Sequence, residues 1–279
     1  MVVTVLLGVA HGSKDPAVRA VVEDLLARTA ALRPGVEAHP AYVDNASPSI
    51  RGALAELAAR GADDVVVLPL LLTAASHSKT DVAASVQAGR LAHPGMRLRY
   101  GRPLGPHPVL VEELASRLAE AGARPEDPVL LTAGGALDPD ANAAVAATAR
   151  LLYEGRPWPW VDVAFASTAR PSVPDALQRL RSQGFARVSV ARYFLGAGIL
   201  PRLVERQARS VPGLEVLVAA PLGSSDALAA LLAERLDEAL TGDIRMNCDA
   251  CLHRIAMPGR EAAVGAPQLP HAHPDDPSV

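Results

Sequence analysis

The stretch Leu6-Leu7-Gly8-Val9-Ala10-His11-Gly12-Ser13 decides the fold of this chain. The β-branched and aliphatic run over residues 3–9 predicts a strand buried among other apolar groups. The run stops at a His-Gly-Ser turn, and from Pro16 onward the apolar residues have the spacing of a helix with one buried face. Because open α/β sheets bind ligands beyond the carboxyl ends of their strands, His11 stands at a candidate binding position.

Strands and helices alternate along the chain beyond this stretch. Apolar runs predict further strands over residues 36–43, 64–68 and 96–102. Helices are predicted after Ser49, over residues 81–91 and from Pro106 to about Ala121. The third strand shows no alternation of apolar and polar residues, as expected for a parallel strand covered on both faces. The pattern predicts an α/β fold with a doubly wound parallel sheet.

The first half of the chain recurs in the second half. Asp15-Pro16 returns as Asp138-Pro139 and Pro48-Ser49-Ile50 as Pro171-Ser172-Val173, both at an offset of 123 (138−15 and 171−48). Nearer the end of the repeat the offset falls to 118, as between Pro103 and Pro221 (221−103). We therefore predict two tandem domains, residues 1–122 and 127–242, that pack as a pseudo-dimer and are followed by a tail over residues 243–279.

The repeat also works as an internal control on the polar residues at the strand ends. At the offset of 123, His11 becomes Gly134 and His77 becomes Leu200, while the apolar scaffold is kept. A histidine needed only for packing should survive or be replaced by a residue of similar size. The joint loss indicates that His11 and His77 serve one site, which only the first half retains.

Two histidines suit the handling of a metal that must be released again. Neutral imidazole is a common ligand for divalent transition metals, and near neutral pH it also accepts a proton. Structural zinc sites use about four protein ligands and hydrolytic sites about three, so a pair is an incomplete site. Insertion of a metal into a tetrapyrrole needs such weak binding, together with a base for the two pyrrolic protons.

The motifs around these histidines resemble those of the sirohydrochlorin chelatase family in its long, two-domain form, which is related to the class II chelatases. The resemblance covers residues 3–240 and is carried by Ala10-His11-Gly12-Ser13-x-Asp15-Pro16, by Ala41 to Ile50, and by Val67 to Leu72 leading to His77-x-x-x-Asp81. It implies two chelatase-like domains. It also implies insertion of Fe²⁺ or Co²⁺ into sirohydrochlorin, as in siroheme or cobalamin biosynthesis.

The resemblance also implies roles for individual residues. His11 would be the proton acceptor and a metal ligand, and His77 the second ligand. The tetrapyrrole pocket would be lined by Asn45, Leu72, Thr73, Ala74, Ala75, Ser76 and His77. Four basic residues are candidate partners for the eight carboxylates of the substrate, although basic residues at helix starts are commonly solvated: Lys14, Arg51, Lys79 and Arg102.

Two other functions use the same residues. A metal-binding or metal-delivery protein without turnover would need only the histidines and the tail. A hydrolase would use His11 as base and Ser13 as nucleophile, but no acid is evident that would orient His11 in a triad. Turnover of a tetrapyrrole distinguishes the chelatase from the delivery protein.

The tail carries possible metal ligands of its own. Cys248 and Cys251 form a C-x-x-C pair followed by His253, and His271 and His273 lie near the end. The pair indicates a second metal site or a redox element, and the alternative is an unstructured tail with incidental cysteines. The resemblance to the long chelatases implies an iron–sulfur cluster at Met246-x-Cys248-x-x-Cys251, although two thiolates cannot complete a four-cysteine cluster within one chain.

The composition of the chain argues against several other classes of protein. The net charge of −3 argues against a nucleic-acid binder, and no apolar run reaches the roughly 18 residues that span a membrane. The start of the chain has neither a basic segment nor a small-residue cleavage site. We expect a cytoplasmic protein that is monomeric through its internal pseudo-dimer or forms a weak homodimer.

Overall fold

A computed structural model of the chain describes residues 4–75, 77–154 and 156–242, with the backbone alone at His77. These residues belong to one compact unit that ends at Asp243. The first half consists of β1 (Thr4–Ala10), α1 (Pro16–Leu32), β2 (Val36–Tyr42), α2 (Ile50–Ala59), β3 (Asp64–Pro69), a π-helix (His77–Val82), α3 (Ala83–Ala92), β4 (Arg97–Tyr100) and α4 (Pro108–Glu120).

The second half repeats this order. It consists of β5 (Val129–Ala133), α5 (Pro139–Tyr153), β6 (Val161–Phe165), α6 (Val173–Ser182), β7 (Arg187–Arg192), α7 (Ile199–Ala208), β8 (Glu215–Pro221) and α8 (Asp226–Thr241). The repeated Asp-Pro pairs start equivalent helices, because Asp15 caps α1 and Asp138 caps α5, each with proline in the first turn.

Each half contains a four-stranded parallel sheet, with the strand orders β2-β1-β3-β4 and β6-β5-β7-β8. Alternate residues of a strand enter different cores, as the twofold period of a strand requires. Leu6 faces a core shared with helices of both halves, whereas Leu7 faces a core made with α2 and α3. A third core covers the outer face of the second sheet. The predicted α/β fold with two doubly wound parallel sheets is confirmed.

The two halves contact each other through equivalent elements. Helix α1 packs against α8, and α4 packs against α5, so each half contributes the same pair of helices. Two ion pairs repeat the relation: Lys79 binds Asp138, and Arg202 binds Asp15. Both acids and both bases are 123 positions apart (138−15 and 202−79). This reciprocity is what an isologous interface between two copies of one domain would give.

Some element boundaries differ from those that the sequence predicted. The helix expected over residues 81–91 starts with the π-helix at His77 and becomes α-helical at Ala83. The helix expected from Pro106 begins at Pro108, because the His107 side chain accepts a hydrogen bond from Val109 N and caps it. The fourth strand is shorter than predicted, over residues 97–100. None of the helices among the described residues is long and apolar enough to cross a membrane.

Candidate active site

His11 directly follows β1, one of the two central strands of the first sheet. The neighbouring central strand β3 runs in the same direction, so the segment after it leaves the sheet from the same edge. Leu70 N donates to Val9 O over 2.7 Å and extends this pairing past the end of β3. The structure thus places the turn at His11 beside the loop that leads to His77.

The turn after β1 can accept only glycine at position 12. Gly12 has a φ of +102°, and a Cβ atom there would lie 1.7 Å from the carbonyl oxygen of Asp44. The carbonyl of His11 in turn accepts a hydrogen bond of 2.9 Å from Asp44 N. The backbone of His11 is therefore fixed against the loop after β2, while its side chain is exposed at the sheet edge.

Ser13 and Asp15 stabilise the turn and the start of α1. Ser13 is buried, and its Oγ accepts a hydrogen bond of 3.1 Å from Asp15 N. Asp15 Oδ1 accepts one of 2.9 Å from Ala17 N, and Asp15 Oδ2 accepts one from Arg202 of the second half. These contacts give Ser13 a structural role, which weakens the case for a hydrolase with Ser13 as nucleophile.

Asn45 lies in the loop after β2 that contacts Gly12. It is exposed and has a φ of 56°, a left-handed conformation that asparagine adopts more readily than most residues. Its Nδ2 donates to Asp44 Oδ2 over 2.9 Å. The structure therefore places Asn45 at the same sheet edge as His11, one residue beyond the carbonyl that excludes a side chain at Gly12.

The loop after β3 is anchored by a residue from the second half. The hydroxyl of Tyr193 donates to the carbonyl oxygen of Leu72 over 3.0 Å. Leu104 N donates to the adjacent carbonyl of Leu71 over 3.0 Å. Burial raises the pKa of Tyr193 well above the ordinary value of a tyrosine, so its hydroxyl stays protonated and keeps donating.

A second tyrosine holds the other end of this loop. Tyr100 donates to the carbonyl of Ser78 over 2.6 Å, and Ser78 Oγ donates to Ala75 O over 2.9 Å. Burial raises the pKa of Tyr100 to about 12. These side-chain bonds occupy carbonyl oxygens at the start of the π-helix, an irregularity that occurs often at functional sites. Residues 72–75 are half-buried, and Ser76 lies outside the described residues.

Sequence reasoning missed both tyrosines, although the repeat contained a signal. At the offset of 123 Tyr193 corresponds to Leu70, and at the offset of 118 Tyr100 corresponds to Val218 (193−70 and 218−100). The first position is buried in both halves and the second is half-buried in both, and each carries a hydroxyl in one half and an aliphatic side chain in the other. A polar group present in only one copy of such a position indicates a contact that the other copy does not need.

Two of the four basic candidates are engaged with acids of the second half. Lys79 Nζ lies 2.7 Å from Asp138 Oδ2, and this hydrogen bond raises the pKa of Lys79. Arg102 Nε and Nη2 lie 2.8 and 2.6 Å from the two carboxylate oxygens of Glu238. Both side chains therefore join the halves, whereas Lys14 and Arg51 are exposed.

The equivalent edge of the second sheet has the same backbone but different side chains. Gly135 has a φ of +85°, and a Cβ atom there would lie 2.1 Å from the carbonyl of Ser167, as Gly12 faces Asp44. Leu200 Cδ1 lies 3.2 Å from the position of a Cβ atom on Gly134. A leucine therefore covers the strand end where the first half carries His11.

The described residues 4–75, 77–154 and 156–242 contain no group of three or more His, Cys, Asp and Glu side chains placed to hold a metal ion. The tail ligands predicted from the sequence, Cys248, Cys251, His253, His271 and His273, lie outside the described residues.

Comparison with known proteins gives the same tandem organisation. The sequence profile of the CbiX family matches residues 5–121 and, a second time, residues 128–239. The chain belongs to the CbiX family. The sirohydrochlorin cobaltochelatase of Priestia megaterium is 31% identical over 225 residues, which are 77% of this chain and 74% of that protein. The resemblance to sirohydrochlorin chelatases predicted from the motifs is thereby confirmed.

Two further proteins extend the comparison of this CbiX-family chain. The sirohydrochlorin ferrochelatase of Bacillus subtilis is 26% identical over 214 residues, covering 74% of this chain and 79% of that protein. The structure of SirB from Bacillus subtilis with Fe³⁺ superposes with a TM-score of 0.73 at 23% identity, covering 88% of this chain and 99% of that one. At this identity the structural likeness supports the fold.

Proposed function

We propose that this chain inserts Fe²⁺ or Co²⁺ into sirohydrochlorin, and that the active site lies in the first half, residues 1–122. The observation that carries the proposal is the turn at His11, fixed by Gly12 at the edge from which the loop to His77 also leaves. The second half, residues 127–242, has Gly134 and Leu200 at these positions. Two relatives that match about three quarters of this chain are a sirohydrochlorin cobaltochelatase and a sirohydrochlorin ferrochelatase.

In this proposal the two histidines hold the metal ion, which is a substrate, and His11 also handles protons. Insertion replaces two pyrrolic N–H protons by one divalent ion, so two protons leave for every metal that enters. A free imidazole, whose ordinary pKa is about 6.5, accepts such a proton near neutral pH. The exposure of His11 supports this role, because a proton taken from the macrocycle passes directly to water.

The remaining pocket residues follow from their place around the turn. Asn45 lies in the loop after β2 and residues 72–75 in the loop after β3, and these two strands pair with β1 on either side. We propose that Leu72, Thr73, Ala74, Ala75 and Ser76 line the pocket. The anchoring of this loop by Tyr193 and Tyr100 supports a fixed pocket wall.

The test is an anaerobic assay of the purified full-length protein with sirohydrochlorin and either Fe²⁺ or Co²⁺, followed through the absorption spectrum of the tetrapyrrole. The proposal predicts a metallated spectrum that forms faster than without protein. Binding of metal and tetrapyrrole without acceleration would indicate a delivery protein instead. Comparing the two metals under identical conditions identifies the better substrate.

For the tail we propose that Cys248, Cys251 and His253 collect metal for the active site in the cytoplasm. A chain that ends after Gly242 should then insert metal at the full rate when metal is abundant and more slowly when it is buffered. Equal rates at limiting metal would remove the delivery role. A brown, oxygen-sensitive full-length protein that loses its colour on Cys248→Ser would indicate an iron–sulfur cluster.

A further inference from the structure

The degenerate edge of the second sheet is apolar and exposed. Leu137, Ile199 and Leu200 are 89%, 75% and 38% exposed, and together they are called the apolar platform here. At the offset of 123 they correspond to Lys14, Ser76 and His77 (137−14, 199−76 and 200−77). The platform thus replaces polar positions of the active edge by aliphatic side chains. Their exposure means that burial in the protein core does not account for them.

The platform lies along one edge of the second sheet. Leu137 follows β5 and Ile199 follows β7, and these strands are parallel neighbours whose carboxyl ends share an edge. Leu200 Cδ1 lies 3.2 Å and Phe194 Cε1 3.8 Å from the position of a Cβ atom on Gly134, so both rest over the end of β5. Leu137 and Ile199 therefore stand at the margin of the platform. Leu200, together with Phe194, covers the end of β5, where the first half carries His11.

Both ends of the platform adjoin the segments that carry the candidate active site. Gly198, next to Ile199, would have a Cβ atom 3.9 Å from Ser13 Oγ and 3.6 Å from Val18 Cγ2. Asp138, next to Leu137, lies 2.7 Å from Lys79 Nζ on the π-helix. The platform is therefore held against the turn at His11 and against the helix that begins at His77.

We propose that one flat face of the tetrapyrrole macrocycle packs on Leu137, Ile199 and Leu200, while His11 and His77 hold the metal ion at the centre of the ring. This inference rests on the proposed function and names the surface that binds the substrate. A macrocycle offers a large apolar face and carries its carboxylates at the rim, which matches an aliphatic surface bordered by charged groups. Ligand pockets are commonly apolar with a few precisely placed polar groups. Here the second half supplies the apolar surface and the first half supplies the polar groups.

The test is a titration of the full-length protein with metal-free sirohydrochlorin, so that binding is measured apart from insertion. Ile199→Ser and Leu137→Ser should each weaken binding by about tenfold, because the free energy gained by burying one aliphatic side chain corresponds to about a tenfold change in the dissociation constant. Leu91→Ser is the matched control, since Leu91 is 77% exposed at the end of α3. The control should bind as the wild type does, and all variants should keep their melting temperature.

Three results would overturn the inference. Wild-type affinity in both platform variants, with metal insertion intact, rejects the platform but leaves the proposed function standing. A wild-type dimer that becomes monomeric in the variants without a change in tetrapyrrole affinity assigns the platform to self-association. A wild-type protein that neither binds sirohydrochlorin nor inserts metal rejects the proposed function and the inference together.

Discussion

The two halves of this chain have the same backbone at the strand ends and opposite chemistry there. Gly12 and Gly135 both have a positive φ and both press against a carbonyl of the next loop. Asn45 and Thr168, again 123 positions apart (168−45), have φ values of 56° and 63°. The turn geometry is therefore a property of the packed fold. The side chains presented at these strand ends nevertheless differ, since His11 corresponds to Gly134 and His77 to Leu200.

The largest effect is expected from removing His11, the polar side chain that most clearly distinguishes the first half from the second. His11→Ala should lower metal insertion at least about 100-fold, because a proton acceptor and a metal ligand are lost together. His77→Ala should weaken insertion strongly as well. The melting temperature of both variants should stay at the wild-type value, since His11 is exposed at the edge of a large aliphatic core.

The measurement is the initial rate of metallation at saturating metal and tetrapyrrole. His93→Ala, which removes a histidine from the turn between α3 and β4, is the control and should keep the wild-type rate. A wild-type rate in His11→Ala would place the active site elsewhere.

A second pair of variants, one in each half, distinguishes the effect of the turn on stability from its effect on metal insertion. Gly12→Ala and Gly135→Ala each force a Cβ atom against a carbonyl oxygen, at 1.7 and 2.1 Å. Each should lower the free energy of unfolding by about 2–4 kcal/mol. At saturating tetrapyrrole, where weaker binding does not limit the rate, insertion per folded molecule should fall by about tenfold or more only in Gly12→Ala, because only that turn positions His11.

Chemical denaturation followed by rate measurements on the folded fraction checks this pair. If Gly135→Ala lowered the rate per folded molecule at saturating tetrapyrrole as much as Gly12→Ala, the second turn would take part in the insertion step itself, beyond holding the second half against the substrate.

A smaller effect is expected where the second half supports the first. Tyr193→Phe leaves the carbonyl of Leu72 without its hydrogen bond from the second half and should cost about 1–3 kcal/mol of stability. Insertion per folded molecule should fall about tenfold as the loop loses its fixed position. The ratio of wild-type to variant rate should be constant from about pH 6 to 9, because burial raises the pKa of Tyr193 and the hydroxyl stays protonated there.

The same shift fixes the direction of the stability change at high pH. Because the pKa of Tyr193 is higher in the folded than in the unfolded protein, stability should fall as the pH rises above about 10, where only the unfolded tyrosine ionises. Tyr193→Phe should reduce this alkaline loss. Tyr153→Phe in α5, a half-buried tyrosine of the same half, is the control for both measurements. A pH-dependent rate ratio between pH 6 and 9 would contradict a purely hydrogen-bonding role.

The smallest effect concerns Thr168, a strained residue of the second half. Thr168 is β-branched at a φ of 63°, which costs on the order of 1 kcal/mol. Thr168→Asn, which copies Asn45, should raise the free energy of unfolding by about 0.5–1 kcal/mol and leave insertion unchanged. The reciprocal Asn45→Thr should lower stability by a similar amount. An unchanged or lower melting temperature in Thr168→Asn would show that the turn favours threonine there.

The sequence by itself predicted the alternation of strands and helices, the tandem repeat and the edge of the sheet where His11 stands. These follow from local rules. A strand buried on both faces needs a continuous apolar run, as in Val65 to Leu68, and Asp-Pro pairs start helices wherever they occur. The offset of 123, which falls to 118 near the end of the repeat, then carried the assignments from one half to the other.

Only the tertiary structure decided how the candidate site is held and what faces it. Tyr193 lies 121 residues from Leu72, and Lys79 lies 59 residues from Asp138, so no local pattern relates the members of either pair. The sequence placed the start of the helix after β3 at residue 81 rather than at His77 for the same reason. The π-helix is accompanied by side-chain bonds, including that of Tyr100 to Ser78 across 22 residues, which sequence spacing does not encode. Periodicity records which face of an element is buried, whereas the partner on that face depends on how the whole chain packs.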